Sequence, residues 1–195
     1  MTVLYAERES EKTKAQFVAL TQQTADDRQL IVGSSAPMVV IDVNHQRLHE
    51  GVAFFAYNIK PKSAPLGANQ SMNIVLACGP STSAHLTLAF ESAGDSFFEI
   101  YENTTSTGGS LFTPVARNRV SANVSNVAMV RDATITTAGT VLWQENLIGG
   151  TGKKSAGGAG ATLEFYLAPL TNYMIRLTNV DASDHASFIG LEWYE

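Results

Sequence analysis

Leu86-Thr87-Leu88-Ala89-Phe90 and Phe98-Glu99-Ile100-Tyr101-Glu102 are two short runs in which apolar and polar residues alternate. A period of two puts every second side chain on one face, which is typical of a half-buried β-strand. Between the runs, Ala93-Gly94-Asp95 has the residue types of a tight turn. This stretch therefore predicts two strands joined by a turn.

The same pattern of short apolar or alternating runs, separated by turn residues, begins at Pro37 and continues along the chain. It predicts about eleven strands, which are Met38–Val43, Val52–Ile59, Asn73–Cys78, His85–Glu91, Ser96–Glu102, Ser110–Pro114, Val127–Ile135, Thr140–Gln144, Thr162–Ala168, Tyr173–Asn179 and Ala186–Tyr194. Because no long helix separates these strands, a fold of alternating strands and helices is excluded. The apolar faces need a second sheet to cover them, so we predict an all-β fold, an antiparallel β-sandwich or jelly roll, over residues 36–195.

Residues 1–35 differ from the rest in charge. Nine of the first 28 residues are charged, against 22 of the remaining 167. Ser10 is a candidate helix N-cap, and apolar residues near helical spacing predict one or two helical turns within Glu11–Gln23. The apolar side of this segment is too small to form a core alone. We interpret residues 1–35 as an N-terminal arm, which is either a partly ordered tail or a segment that docks on a neighbouring subunit.

The composition of the 195 residues restricts the classes of function. The net charge is −5, whereas domains that bind nucleic acid usually carry a concentrated basic patch, so we expect no nucleic-acid partner. The longest apolar runs are far shorter than the roughly 20 residues of a spanning helix, and no basic start precedes an apolar stretch. We therefore expect no membrane partner, no secretory signal and synthesis in the cytoplasm. Serine and threonine together number 34 and exceed the charged residues, so the predicted surface is neutral and rich in hydroxyl groups.

Residues suited to catalysis or metal binding are few, and the four histidines are the first candidates: His45, His49, His85 and His185. His45 and His49, with Asp42, have the residue types of a metal site, but we favour a polar turn before the Val52 strand. Cys78 lies in an apolar strand and is expected to be a small buried hydrophobe. The sequence lacks the GxSxG pattern of serine hydrolases. We predict no enzyme activity, no catalytic residues, no cofactor and no metal.

The sequence alone does not decide whether two carboxylates pair to form a glycoside-cleaving site. Five glutamates lie in predicted strands: Glu91, Glu99, Glu102, Glu164 and Glu192. Alternation places Glu99 on the face opposite Phe98 and Ile100, where we expect an ordinary solvated side chain. The glycine-rich loop 149–160 lacks the Walker phosphate-binding pattern and is interpreted as a mobile connector.

Aromatic residues are a further candidate feature, because they form either a core or a sugar-stacking platform. Core packing is expected for most of the set: Phe97, Phe98, Tyr101, Trp143, Phe165, Tyr166, Tyr173, Trp193 and Tyr194.

Three segments resemble a family of head proteins of tailed bacteriophages: residues 42–51, residues 113–119, and residues 163–179 with the closing Leu191-Glu192-Trp193-Tyr194-Glu195. The chain is similar over about residues 40–195 to β-sandwich decoration (cement) proteins encoded near the major capsid gene. The resemblance implies a virion protein on the capsid exterior, in homotrimers that bind the major capsid protein and bridge adjacent capsid subunits. The charged N-terminal segment departs from this family.

The resemblance leaves the mode of attachment open. Our hypothesis is that residues 1–35 carry capsid attachment, with four apolar side chains as anchors: Leu4, Tyr5, Phe17 and Leu20. The alternative is a receptor- or glycan-binding head module of a phage fibre, with exposed aromatic residues at one end of the sandwich, near Trp143 or near the loop 149–160. A third candidate, a depolymerase domain, needs carboxylates clustered in a cleft.

Overall fold

Short antiparallel strands make up most of the described part of the chain. The structure is a computed structural model that describes residues 43–81, 84–148, 156–157 and 163–195. Its elements are α1 (Val43–Glu50), β1 (Ala53–Lys60), β2 (Ser71–Cys78), β3 (Ala84–Ser92), β4 (Ser96–Glu102), β5 (Thr105–Thr107), β6 (Ser110–Phe112), β7 (Val115–Ala116), β8 (Val127–Arg131), β9 (Thr134–Thr137), β10 (Thr140–Leu147), β11 (Ala156–Gly157), β12 (Glu164–Leu167), β13 (Asn172–Asn179) and β14 (Ser187–Tyr194).

Two six-stranded antiparallel sheets pack face to face. The first sheet has the order β11-β3-β14-β1-β7, with β12 also paired to β3. The second sheet has the order β10-β4-β13-β2-β8-β6, and β5 pairs with β9 in a separate two-stranded ribbon. The predicted all-β antiparallel sandwich is confirmed.

The core lies between the two sheets and follows the alternation in the sequence. Every second residue of β3, from Leu86 to Phe90, points into it, as do Phe98 and Ile100 of β4. The rings of Phe90 and Phe98 stack across the interface, with their centroids 3.9 Å apart. Burial of these large side chains supplies the main free energy that holds the sheets together.

The middle of the second sheet is buried on its outer face as well. Val75, Tyr101 and Met174 form a second apolar cluster there with Ala133, and Ile135 of β9 packs against it. The ribbon β5–β9 and the chain leading into it therefore cover this face. Burial on both faces explains why Ile74-Val75-Leu76 is continuously apolar and does not alternate.

The structure corrects several element predictions. The strand predicted over Val127–Ile135 is broken at Asp132, whose positive φ of 50° ends β8 before β9 begins. The strand predicted over Met38–Val43 reaches the described residues only at Val43, which begins a helix. The short strands β5, β7 and β11 were not predicted. The arm 1–35, with its predicted helix, lies outside the described residues.

Helix α1 is the largest departure, since a polar turn is predicted there. It ends at Gly51, whose φ of +74° is the left-handed conformation that closes many helices. The N–H groups of Gly51 and Val52 donate to the carbonyls of Leu48 and Arg47, which is the Schellman pattern. A Cβ atom at Gly51 would lie 2.3 Å from the Ser121 hydroxyl oxygen, so a side chain there would also force Ser121 to move.

Candidate interaction surface

Strand β10 presents three consecutive large apolar side chains to solvent. It is the outermost strand of the second sheet and, among the described strands, pairs only with β4. Val141, Leu142 and Trp143 are exposed, Trp143 by 40%. An edge strand also carries backbone N–H and C=O groups that are free to pair with another chain. The β10 edge, as we call residues 140–147, is therefore suited to contact with a second protein.

A β-bulge spreads these side chains over both faces of the sheet. Val141 pairs with Tyr101 and Trp143 pairs with Ile100, so Leu142 is the extra residue. Tyr101 belongs to the outer apolar cluster, whereas Ile100 belongs to the sandwich core. A partner at the β10 edge would thus meet apolar side chains on either face.

Beside this edge lies a polar group of four residues, which we call the Glu99 cluster: Glu99, Tyr101, Gln144 and Arg176. Glu99 and Tyr101 are buried, Arg176 is partly buried and Gln144 is exposed. The Arg176 Nε atom donates to Glu99 Oε2 at 2.7 Å, and its second guanidinium contact to the same oxygen is 2.6 Å. The Gln144 amide donates to Glu99 Oε1 at 3.1 Å, and the Tyr101 hydroxyl donates to the same oxygen. Because Gln144 belongs to β10 and Arg176 to β13, the cluster ties the edge strand to the centre of the sheet.

The expectation that Glu99 is solvated is wrong. Alternation gave the correct face, but the residue is only 5% exposed. Side chains from the neighbouring strands β10 and β13 cover its carboxylate, and a single sequence does not show which strands pair. Burial and the hydrogen bond to Glu99 raise the pKa of Tyr101. These two effects outweigh the Arg176 charge, which by itself lowers the pKa.

Asp132 forms a second polar site, where the two sheets meet at one side of the sandwich. Its Oδ1 atom accepts a hydrogen bond of 2.8 Å from the Asn58 amide, and its Oδ2 atom accepts one of 2.6 Å from Lys60. Asn58 and Lys60 belong to β1, whereas the Asn73 backbone N–H, which also points at Oδ1, belongs to β2. Partial burial raises the pKa of Asp132, but the Lys60 and Asn58 hydrogen bonds outweigh it, so that the pKa lies below its usual value.

Asp132→Asn is expected to lower the free energy of unfolding at pH 7 by about 1 kcal/mol or less, because the Lys60 pair is partly exposed. A lowered folded-state pKa contributes stability above the ordinary aspartate pKa of about 3.9, and the contribution is lost as the pH falls through the folded-state value. The difference between wild type and variant should therefore shrink on acidification below about pH 5. Urea unfolding at a series of pH values measures it, and a constant difference would contradict the assignment.

The outer face of the first sheet carries an aromatic group: His85, Tyr166 and Tyr194. The His85 ring stacks on Tyr194 at 4.6 Å and meets Tyr166 edge-on at 4.7 Å. Tyr166 is 62% exposed. Strand register brings these three residues side by side. Inspection of the sequence considered His85 only as a catalytic or metal-binding candidate and did not predict this grouping. Most other aromatic residues of the predicted set are partly or fully buried, as expected, and Trp143 and Tyr166 are its exposed members.

Three of the candidate carboxylates have side-chain partners. Glu99 forms an ion pair with Arg176 and Glu192 forms one with Arg117, and Glu164 Oε1 lies 3.2 Å from His85 Nδ1. The register places Glu164 and Glu192 on either side of Thr87 on the first sheet.

A buried polar group at His185 was not predicted. The Nδ1 atom of His185 lies 3.2 Å from the hydroxyls of Ser92 and of Ser187. Both serines are almost completely buried, so neither hydroxyl is accessible to a substrate as the structure stands.

The remaining predicted site residues fall in three places. Cys78 is buried in the core, and burial together with the nearby Glu195 charge raises its thiol pKa to about 11, which suits the expected inert role. His45 and His49 lie on α1, with their Nε2 atoms 3.0 Å apart. The proposed anchors Leu4, Tyr5, Phe17 and Leu20, as well as Asp42, lie outside the described residues, and only 156–157 of the loop 149–160 are described.

The fold and surface together define an all-β sandwich with an exposed apolar edge strand. Within the described ranges, no three histidine, cysteine, aspartate or glutamate side chains are grouped so that they could hold a metal ion. None of the helices in that part of the chain has the length and apolar character needed to cross a bilayer. Comparisons with known protein families, with characterised proteins and with solved structures find no match to this chain.

Proposed function

We propose that this protein is a structural component of a bacteriophage virion that decorates and cements the capsid. In this proposal it sits on the capsid exterior, as a homotrimer, and bridges adjacent subunits of the major capsid protein. The observation that carries the proposal is the β10 edge, where Val141, Leu142 and Trp143 are exposed along an outermost strand. The resemblance of residues 40–195 to decoration proteins supplies the identity of the partner.

The chemistry of the surface supports a role in protein contact. Charged residues make up only 16% of the chain, against about 25% in an average soluble domain. An interface formed by such a surface needs to desolvate few ions, and leaving an ion unpaired in an interface is costly. A protein that binds only the assembled shell stabilises that state by mass action, and this stabilisation is what cementing requires.

Two parts of the chain could make the capsid contact, and we assign it to the N-terminal arm. Residues 1–35 are rich in charge and include the proposed anchors Leu4, Tyr5, Phe17 and Leu20. In this proposal the arm reaches across to a neighbouring capsid subunit, and the entropic cost of fixing it there offsets part of the association energy. The β10 edge then makes the contact between neighbouring decoration subunits.

Deletion of Met1–Gln29 is expected to abolish loading onto expanded empty shells of the phage that encodes this protein, while the sandwich remains folded. Co-sedimentation with shells measures loading, and circular dichroism checks the fold. The comparison variant is Trp143→Lys, which places a charge on the β10 edge. Normal loading of the truncated protein together with failure of Trp143→Lys would move the contact from the arm to the sandwich. If the full-length chain does not sediment with shells, the cement proposal is wrong.

Exposed aromatic rings favour one other candidate, a receptor- or glycan-binding head module of a phage fibre. Trp143 and Tyr166 are exposed to solvent, and aromatic rings stack on sugars in many binding sites. Trp193 is buried, so a change in tryptophan fluorescence on adding host cell-surface saccharides would report on Trp143. Such a change, absent in Trp143→Phe, would favour the glycan-binding function over cementing.

A further inference from the structure

Two histidine side chains converge on the surface of α1. His45 and His49 are one helical turn apart, and their rings meet edge to face with centroids 4.6 Å apart. The Nε2 atoms are 3.0 Å apart, and both residues are exposed. The two Nε2 atoms are therefore within hydrogen-bond distance of each other, on a part of the helix surface that solvent can reach.

The helix that carries the pair is fixed at its C-terminal end. The Asn118 side chain donates to the His49 carbonyl at 3.2 Å, and the Asn123 side chain donates to the Gly51 carbonyl at 3.2 Å. The Glu50 carboxylate, the nearest acidic group along the helix, accepts from Gln46 and pairs with Arg47. Glu50 is thus occupied by other partners, and the imidazole nitrogens are free of it.

The distance between the two nitrogens matches the spacing of two neighbouring ligands on a metal ion. Imidazole nitrogens bind first-row divalent ions at about 2.0–2.1 Å, and at that length a separation of 3.0 Å corresponds to a nitrogen–metal–nitrogen angle of about 91–97°. This angle is close to the right angle of square-planar or tetragonal coordination and smaller than the tetrahedral angle of zinc sites. Tetragonal nitrogen and oxygen coordination is typical of Cu²⁺ and Ni²⁺.

We propose that His45 and His49 form a surface site for a divalent transition-metal ion, with Cu²⁺ preferred and water in the remaining coordination positions. Both rings bind as neutral imidazoles that carry their proton on Nδ1, so each Nε2 lone pair faces the ion. The ion replaces the contact between the two Nε2 atoms and clamps one turn of α1. This site is independent of the capsid proposal, since it requires neither the arm nor the β10 edge.

Titration of the untagged, metal-free full-length chain with Cu²⁺ tests the site. We expect saturable binding of one ion per chain by calorimetry, with nitrogen coupling in the electron paramagnetic resonance spectrum. Affinity should follow Cu²⁺ above Ni²⁺, in line with the general order for nitrogen ligands. His45→Ala and His49→Ala should each weaken Cu²⁺ binding at least about tenfold, because each removes one of the two chelating nitrogen ligands.

The matched control is His85→Gln, which removes a surface histidine beside the Glu164 carboxylate and leaves α1 unchanged. It should bind Cu²⁺ as the wild type does. Cu²⁺ should also raise the melting temperature of the wild type and not that of the His45→Ala/His49→Ala double variant. Equal Cu²⁺ affinity in the wild type and the double variant would overturn the proposal, as would loss of the bound ion in His85→Gln.

Discussion

Arg176→Ala is expected to lower the free energy of unfolding by about 3–5 kcal/mol, because it leaves a buried carboxylate without its cation. Arg176 makes two contacts with Glu99 Oε2 and donates a hydrogen bond of 2.9 Å to the Tyr101 hydroxyl. Its guanidinium also lies over the Tyr101 ring, 5.1 Å from the centroid. Removing the side chain thus exposes part of an apolar cluster as well as stranding the Glu99 charge. Chemical denaturation followed by circular dichroism measures the loss.

Arg117→Ala is the matched control for this prediction. Arg117 pairs with Glu192 at 2.9 Å, but both side chains are largely exposed. Exposed pairs contribute about 0–1 kcal/mol, so the control should lose little stability. The double variant Glu99→Leu/Arg176→Met removes both charges and should recover much of the loss. If Arg176→Ala and Arg117→Ala lose equal amounts, the Glu99 cluster is not the buried ion pair described above.

Gly139→Ala is expected to cost about 2–5 kcal/mol of unfolding free energy, the sum of a backbone penalty and a steric one. Gly139 has a φ of +91° in the turn between β9 and β10. A Cβ atom there would lie 2.0 Å from the Glu102 carbonyl oxygen and 2.9 Å from the Asn103 carbonyl carbon. Both atoms belong to the backbone and cannot rotate away, so the turn has to move off the end of β4. Thermal unfolding measures the change.

Gly108→Ala separates the two parts of that penalty. Gly108 also has a positive φ, +63°, but a Cβ atom there would meet nothing within 4 Å. The substitution should therefore lower the free energy of unfolding only by the cost of placing an alanine in the left-handed conformation, about 1–2 kcal/mol. Equal losses in the two variants would mean that the close approach of the β9–β10 turn to β4 has no energetic consequence.

The sequence predicted most of the sandwich because burial on one face of a strand leaves a period of two in the chain. In β3 and β4 this pattern correctly separates Leu88 and Phe98, which face the core, from Thr87 and Glu99, which do not. The pattern carries no information about what covers the other face. For that reason Glu99 was wrongly predicted to be solvated.

Helix α1 shows a second reason why prediction from the sequence was incomplete. The four-residue spacing of His45 and His49 fits a helix, but the segment has no strong apolar stripe, and the strand that follows favoured a turn. What stabilises the helix is its glycine-closed end and the amides of Asn118 and Asn123, which are about 70 residues away in sequence. Local preference was therefore outweighed by tertiary hydrogen bonds.

By itself the sequence determined the all-β class, the positions of most long strands and the inward side chains of the core, since each depends on local alternation and turn residues. Only the tertiary structure decided which strands are neighbours. That choice buries Glu99 beneath Arg176, leaves β10 at an edge and brings His85 between Tyr166 and Tyr194. The physical reason is that strand pairing and edge exposure depend on contacts between residues far apart in the chain, which alternation within a single strand does not encode.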